Sequence, residues 1–476
     1  MHAEQKTNTT MRKTILFVSL TLLCTILFAE NGKSSTDKGI SMTEYFTTIL
    51  KGGIPEFSNG KKIKLDRIEE TRTAVWEAWK SAVNSLEEEK LPSIGLLKDR
   101  NSSSWKLPEE LESNAVMPYY WGVNSDSTKI LKGEEKLPMF LYMHGSGDKH
   151  QEWETGLRLA LGYFYKPAIY MVPQIPNGYG EYYRWAIQSK QWAWEKLLRL
   201  ALLNDKIDAN RIYFFGISEG GYGSQRLAAF YADYLAGAGP MAGGEPLKNA
   251  PMENVANIAF SLRTGELDHG FGRNMLTNEA LKISKELKKQ HPGYYNHFIE
   301  IIPGYGHSID YRPTTPWLAQ FKRNPHPQYF YWENYDMYGR YRNCFYNLKV
   351  DETSRENDQQ RTCYEFNCKE NVIELNIRNV IYTATLTHAN IDFLFSKEYS
   401  NVKKGKITIY LNEKLFNLKK PITVILNGKK IFKGKVKPTW ESMIESCALF
   451  YDPERLFPAA IEVDIEKSTA KDASRN

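Results

Sequence analysis

Arg211-Ile-Tyr-Phe-Phe-Gly-Ile-Ser-Glu-Gly-Gly221 reads as a short buried strand, a tight turn and the start of a helix, with Gly216-x-Ser218-x-Gly220 at the turn. So sharp a strand-to-helix turn strains the backbone of its central residue. A Cβ on either flanking residue would collide with a neighbouring strand or helix, so glycine is needed on both sides. The Ser218 hydroxyl is thereby pushed into open space. The five-residue pattern alone is unspecific, and its meaning depends on what stands at the ends of the neighbouring strands.

Working outward, apolar runs of strand length occupy 116–122, 138–143, 168–172, 258–262 and 297–302, on either side of the strand ending at Phe215. Helical stretches alternate with the later ones, around 157–164, 185–203, 221–234 and 278–289. Short apolar strands alternating with amphipathic helices predict right-handed crossovers, hence an α/β fold with a mostly parallel sheet and helices on both faces. Such a catalytic-type domain is expected over 105–325. It is preceded by a lead-in with one amphipathic helix (30–104), where Leu65, Ile68, Val75, Trp79 and Val83 recur at helical spacing.

Beyond Arg323 the texture changes. Tyr- and Trp-rich residues 326–340 read as an aromatic linker, and 341–466 as an all-β, sandwich-like C-terminal domain with strands near 372–377, 391–395 and 407–411. Its clearest hairpin is 422–432, where Asn427-Gly428 supplies the two positive-φ positions of a tight turn. A helix is expected from Trp440 to Phe450, and residues 467–476 form a polar tail.

Arg12-Lys13 precede an apolar run from Ile15 to Ala29, followed abruptly by polar residues. The run is short for a membrane span and ends on a small residue, so 1–29 is expected to be a signal peptide, with Met11 as an alternative start. The expected protein is exported, to the periplasm, the cell surface or the medium, with no stable membrane span in the mature chain. Cys24 stands where a lipid-bearing cysteine would, but Thr21 occupies the position where such signals want leucine. Removing 1–29 takes Lys6, Arg12, Lys13 and Glu4 and lowers the net charge from +6 to +4. With 62 basic and 56 acidic residues intermixed and no basic stripe, nucleic-acid binding is excluded. Cys344, Cys363, Cys368 and Cys447 permit one or two disulfides in an exported chain, with free buried thiols the equal alternative. His388, the histidine nearest them, has no companion at ligand spacing, so no metal and no cofactor are expected.

An exposed serine becomes a nucleophile only with a base to take its proton, an acid to orient the base, and donors for the developing oxyanion. His307 follows the strand ending at Ile302, within Pro303-Gly-Tyr-Gly-His-Ser308, and is the expected base. Asp268 follows the strand ending at Leu262, within Arg263-Thr-Gly-Glu-Leu-Asp268, and is the expected acid, with Glu266 on the same loop its rival. His269 is a weaker base candidate because it would share a loop with its own acid. Met143-His-Gly-Ser-Gly-Asp148 follows the strand at 138–143. There the N–H of Gly145 or Ser146 would join that of Glu219 in an oxyanion hole, with His144 donating to backbone and Asp148 bracing the turn. The chain order Ser, Asp, His is that expected of an α/β-hydrolase.

Together the H-G-S-G-D turn, the G-I-S-E-G-G elbow, the G-E-L-D loop and the G-Y-G-H loop resemble secreted bacterial α/β-hydrolases of the esterase, polyhydroxybutyrate-depolymerase-like and prolyl-oligopeptidase-like superfamily, over roughly residues 105–325. The resemblance implies a serine hydrolase with Ser218, His307 and Asp268 as nucleophile, base and acid. It leaves the substrate open. No β-propeller repeat precedes the catalytic part, which argues against a large oligopeptidase. In the loop 173–185, Tyr179, Tyr182, Tyr183 and Trp185 are positioned to present flat faces to sugar rings or phenolic acyl groups, and Arg184 to meet a carboxylate or stack; packing of the loop onto the domain is the alternative. The expected substrate is a small-molecule or polysaccharide ester, such as an acylated carbohydrate. A peptidase of the same superfamily, and an inactive glycan-binding surface protein, are the alternatives.

Overall fold

In the computed structural model, residues 40–57, 61–176, 184–388 and 391–468 are described. Strands β1 (Ser102–Lys106), β2 (Val116–Val123), β3 (Leu137–Met143), β4 (Ile169–Pro173), β5 (Ile207–Ile217), β6 (Gly237–Met241), β7 (Ala259–Gly265) and β8 (His297–Ile302) form one eight-stranded sheet in the order β1-β2-β4-β3-β5-β6-β7-β8. From β4 to β8 neighbouring strands are parallel; β2 joins β1 and β4 antiparallel. The helices are α1 (Met42–Leu50), α2 (Ile68–Asn84), α3 (Lys129–Lys132), α4 (Lys149–Gly162), α5 (Gln188–Leu202), α6 (Glu219–Phe230), α7 (Arg273–Gln290), α8 (Thr314–Leu318) and α9 (Trp440–Phe450).

Successive strand side chains point to opposite faces, and the core divides accordingly. Leu141, Met143, Ile212 and Phe214 pack with Trp194 and Leu198 of α5 and Leu227 of α6. Phe140, Tyr142, Tyr213 and Phe215 pack with Trp153 and Leu157 of α4 and Leu318 of α8. The sheet is therefore covered on both faces, as its continuously apolar strands require.

Several elements were hidden in the sequence. Gly237-Ala-Gly-Pro-Met241 has almost no strand propensity, yet it is β6: a Cβ on Gly239 would stand 2.6 Å from Thr314 Cγ2, so the close approach of α8 selects against the bulky residues that normally mark a strand. The sequence also conceals β1 and helix α1, the latter capped by the Ser41 side chain, which accepts from Glu44 N–H.

The C-terminal part is built of β9 (Tyr329–Asn334), β10 (Cys344–Phe345), β11 (Leu348–Glu352), β12 (Arg361–Lys369), β13 (Val372–His388), β14 (Ile391–Asn401), β15 (Lys406–Leu411), β16 (Ile422–Leu426), β17 (Lys429–Gly434) and β18 (Ala459–Asp464). One sheet runs β10-β11-β15-β18, the other β17-β16-β13-β12-β9 with β14 paired to β13. Trp332 of β9 stacks on Phe345 of β10, 5.4 Å between ring centroids, joining the two sheets. The expected linker 326–340 is thus corrected: its core is strand β9, paired with β12. The Asn427-Gly428 hairpin is present, with φ of 48° and 81°.

The boundary expected near residues 325–341 does not separate independent bodies. The described residues from Ile40 onward form one compact unit, and one continuous apolar cluster includes residues of α2, α5, α6 and both β sheets. A buried ionic chain crosses the seam: Arg342 and Arg455 both pair with Asp233, and Arg323 and Arg455 both pair with Asp452.

All four cysteines among the described residues are buried and unpaired, which corrects the disulfide alternative. Cys363 and Cys368 lie five residues apart on one extended strand, roughly 16 Å at strand rise, far beyond disulfide reach. Among the described residues no helix is long and apolar enough to cross a membrane. The expected signal segment 1–29 and most of the polar tail lie outside the described residues.

Candidate active site

The carboxyl ends of β3, β5, β7 and β8 bring the four loops singled out in the sequence to one end of the sheet. Ser218 leaves β5 with φ 56° and ψ −113°, a conformation that costs a non-glycine residue about 1–3 kcal/mol and persists only where its surroundings impose it. Here they do. Ser218 N–H is held by the Met241 carbonyl at 2.9 Å, and α6 begins at the next residue. A Cβ on Gly220 would stand 1.9 Å from the Met143 carbonyl oxygen, so only glycine lets the elbow lie against β3.

Ser218 Oγ lies 3.0 Å from His307 Nε2, and His307 Nδ1 lies 2.8 Å from Asp268 Oδ2. The other carboxylate oxygen of Asp268 accepts from Arg273 Nη1 at 2.7 Å. Asp268 is buried, whereas the His307 side chain is 48% exposed. The rival acid is otherwise engaged: Glu266 Oε2 accepts from Gly304 N–H at 2.9 Å, bracing the turn that carries His307. Leu267 N–H adds a second tie, to the Tyr305 carbonyl at 2.8 Å. His269 pairs with Asn274 instead of approaching Ser218.

The turn after β3 is fixed from below. Ile175 N–H donates to His144 Nε2 at 3.0 Å, so the ring proton sits on Nδ1 and is donated to the Gly145 carbonyl at 2.6 Å. With both ring nitrogens committed to backbone, His144 shapes the turn. Asp148 caps α4, accepting from His150 and Gln151 N–H. Burial raises the Glu152 carboxyl above its ordinary pKa, partly offset by the backbone N–H groups of Gly145 and Gly147. The Gly145 N–H is thus near the Glu152 carboxylate. Ser146 lines the cavity beside Ser218 and Glu219.

The expected aromatic face of Trp185 is also corrected. Trp185 is 1% exposed, donates from Nε1 to the His144 carbonyl at 2.9 Å and packs edge-on against the His144 ring. It is a buried strut under the turn. Tyr179, Tyr182 and Tyr183 lie outside the described residues, as does the side chain of Arg184.

A cavity of about 430 Å³ opens over Ser218. Its walls include residues the sequence did not single out: Tyr222, Lys248, Phe271 and Arg273 from the loops and helices around the sheet, and Ile391 and Phe395 from β14. Arg273 carried a signal, a basic residue five positions after the candidate acid; the β14 residues carried none. Among the described residues no cluster of His, Cys, Asp or Glu has the makings of a metal site.

An eight-stranded sheet of this order, with a strained serine elbow after β5 and Asp and His after β7 and β8, has one identity. The protein has the α/β-hydrolase fold. No family model matches the chain, and no curated protein matches it. Solved hydrolases that resemble it include a thermostable esterase (19% identity, covering 47% of this chain and 63% of that one, TM-score 0.35). Others are a ferulic acid esterase (14%, 46% and 97%, 0.33) and a protein provisionally described as a dipeptidyl aminopeptidase IV from Bacteroides ovatus (13%, 46% and 34%, 0.34). Each match spans less than half of this chain, and less than two thirds of the first and third of these relatives.

Proposed function

We propose that the protein is a serine hydrolase that cleaves carboxylic esters through an acyl-enzyme on Ser218. The observation that carries this reading is the continuous hydrogen-bonded row from Ser218 Oγ through His307 to Asp268, at a strained elbow facing a cavity. In the acylation step His307 Nε2 takes the Ser218 proton as Oγ attacks the ester carbonyl. Asp268, held by Arg273, keeps Nδ1 protonated and stabilises the imidazolium. The oxyanion is assigned to the N–H groups of Ser146 and Glu219, each worth about 3 kcal/mol in the transition state. The imidazolium then protonates the departing alkoxide, and water, activated by the same histidine, releases the acid.

An ester is favoured over a peptide by the site's size: a cavity of about 430 Å³ walled by Tyr222, Phe271, Ile391 and Phe395 suits one or two rings or a short acyl chain. Acylated carbohydrate is the substrate class we assign, and the basic, apolar N-terminal run supports export. A panel of acetylated oligosaccharides, phenolic esters and prolyl or other peptidyl anilides, given to the purified chain, tests both levels. Ester turnover exceeding anilide turnover by at least two orders of magnitude is expected; preferential anilide cleavage would replace the esterase reading by a peptidase one.

A further inference from the structure

Beyond Val380, where its pairing with β12 ends, β13 continues for eight residues paired with β14 alone. A two-stranded ribbon is marginal in water unless it packs on something. This one packs on the hydrolase part. Phe393 is buried with its ring edge against Gly272, Lys397 Nζ bridges Glu253 (2.7 Å) and Glu333 (3.2 Å), and the Lys248 ammonium lies 5.2 Å from the Phe395 ring centroid. So anchored, the ribbon brings Ile391 and Phe395 to the cavity that contains Ser218. Phe271, a bulky residue at φ 53° and 45% exposed, lines the same cavity. A large aromatic residue rarely adopts positive φ, and strain of this kind gathers where a side chain is held for a ligand. Ile391 is likewise exposed. Neither residue earns its place through burial.

We infer that the β13–β14 ribbon is the specificity wall of the site: Phe395 and Ile391, together with Phe271, grip a flat apolar ring attached to the reacting ester. The inference rests on the reading of Ser218 as nucleophile. It assigns the C-terminal β part a role in substrate selection, and it names the substrate class as ring-bearing esters in preference to short aliphatic ones.

The test compares kcat/KM for phenyl acetate (ring on the alcohol), ethyl benzoate (ring on the acyl group) and ethyl acetate (no ring), in the full chain and in Phe395→Ala and Phe271→Gly. Loss of a ring contact of this size is expected to lower the ring-bearing to ring-free ratio about tenfold, for whichever side of the ester the wall holds. Phe395→Leu, which keeps apolar volume but not the flat face, is expected to lower it about threefold. Ratios unchanged in all three variants overturn the proposal. Absence of turnover in the parent chain would count against Ser218 instead. Benzoate binding to Ser218→Ala, followed by NMR, tests the wall without turnover: adding Phe395→Ala is expected to weaken it about tenfold, and equal affinity overturns the wall.

Discussion

Arg273 stands behind Asp268, its Nη1 2.7 Å from Oδ1, on the carboxylate whose other oxygen meets His307. The guanidinium thus sets the plane in which the acid presents Oδ2. Arg273→Gln is expected to lower kcat for phenyl acetate about tenfold with a smaller change in KM, since a charge-assisted bond that orients the acid is lost. Arg273→Lys, with the charge but not the planar fork, should fall between. A fall in KM-dependent terms alone would mean that Arg273 only lines the cavity.

Asp268 and Glu266 differ in partner, and mutation should separate them. Asp268→Asn is expected to reduce kcat about 10⁴-fold, because the amide favours the wrong histidine tautomer. Glu266→Gln keeps a side-chain oxygen able to accept from Gly304 N–H and should cost less than tenfold. Equal losses would contradict the assignment of the acid.

The seam between the hydrolase and β parts depends on buried charge. Burial disfavours ionised Asp452, but the Arg323 and Arg455 guanidiniums hold its carboxyl well below the usual range; Arg342 and Arg455 do the same for Asp233. Arg455→Met leaves both carboxylates short of a partner and is expected to cost about 3–5 kcal/mol in urea unfolding. A loss under 1 kcal/mol would show that the network is dispensable.

His326, against Asn412 and Phe457, is pushed down from 6.5 to about 3, chiefly by burial, with Lys414 adding repulsion. It is neutral in the fold and titrates near 6.5 when unfolded. Its contribution is therefore present above pH 6.5 and is lost as pH falls toward 3, at up to about 1.4 kcal/mol per pH unit. Stability measured from pH 7 to 4 should fall more steeply in the parent than in His326→Asn. Parallel curves would contradict this.

The meeting of Ser218, Asp268 and His307 was legible because each follows an apolar strand within a few residues, and a parallel sheet aligns those strand ends. Strand β6 was not, since the contact with α8 that makes Gly237 and Gly239 necessary lies some 75 residues away in the chain. Trp185 misled for a related reason: an aromatic in a loop near a site looks the same in sequence whether it faces a ligand or supports His144 from beneath. The ribbon residues Ile391 and Phe395 were beyond reach, because only the packing of Phe393 and Lys397 onto the hydrolase part turns a β hairpin toward Ser218.

The nucleophile itself is tested most directly by labelling the purified chain with a fluorophosphonate probe and following phenyl acetate hydrolysis in parallel. The account predicts one label per chain, on Ser218, with both label and turnover abolished in Ser218→Ala while its unfolding curve stays within about 1 kcal/mol of the parent. Turnover that persists in Ser218→Ala, or a label on another residue, would contradict it.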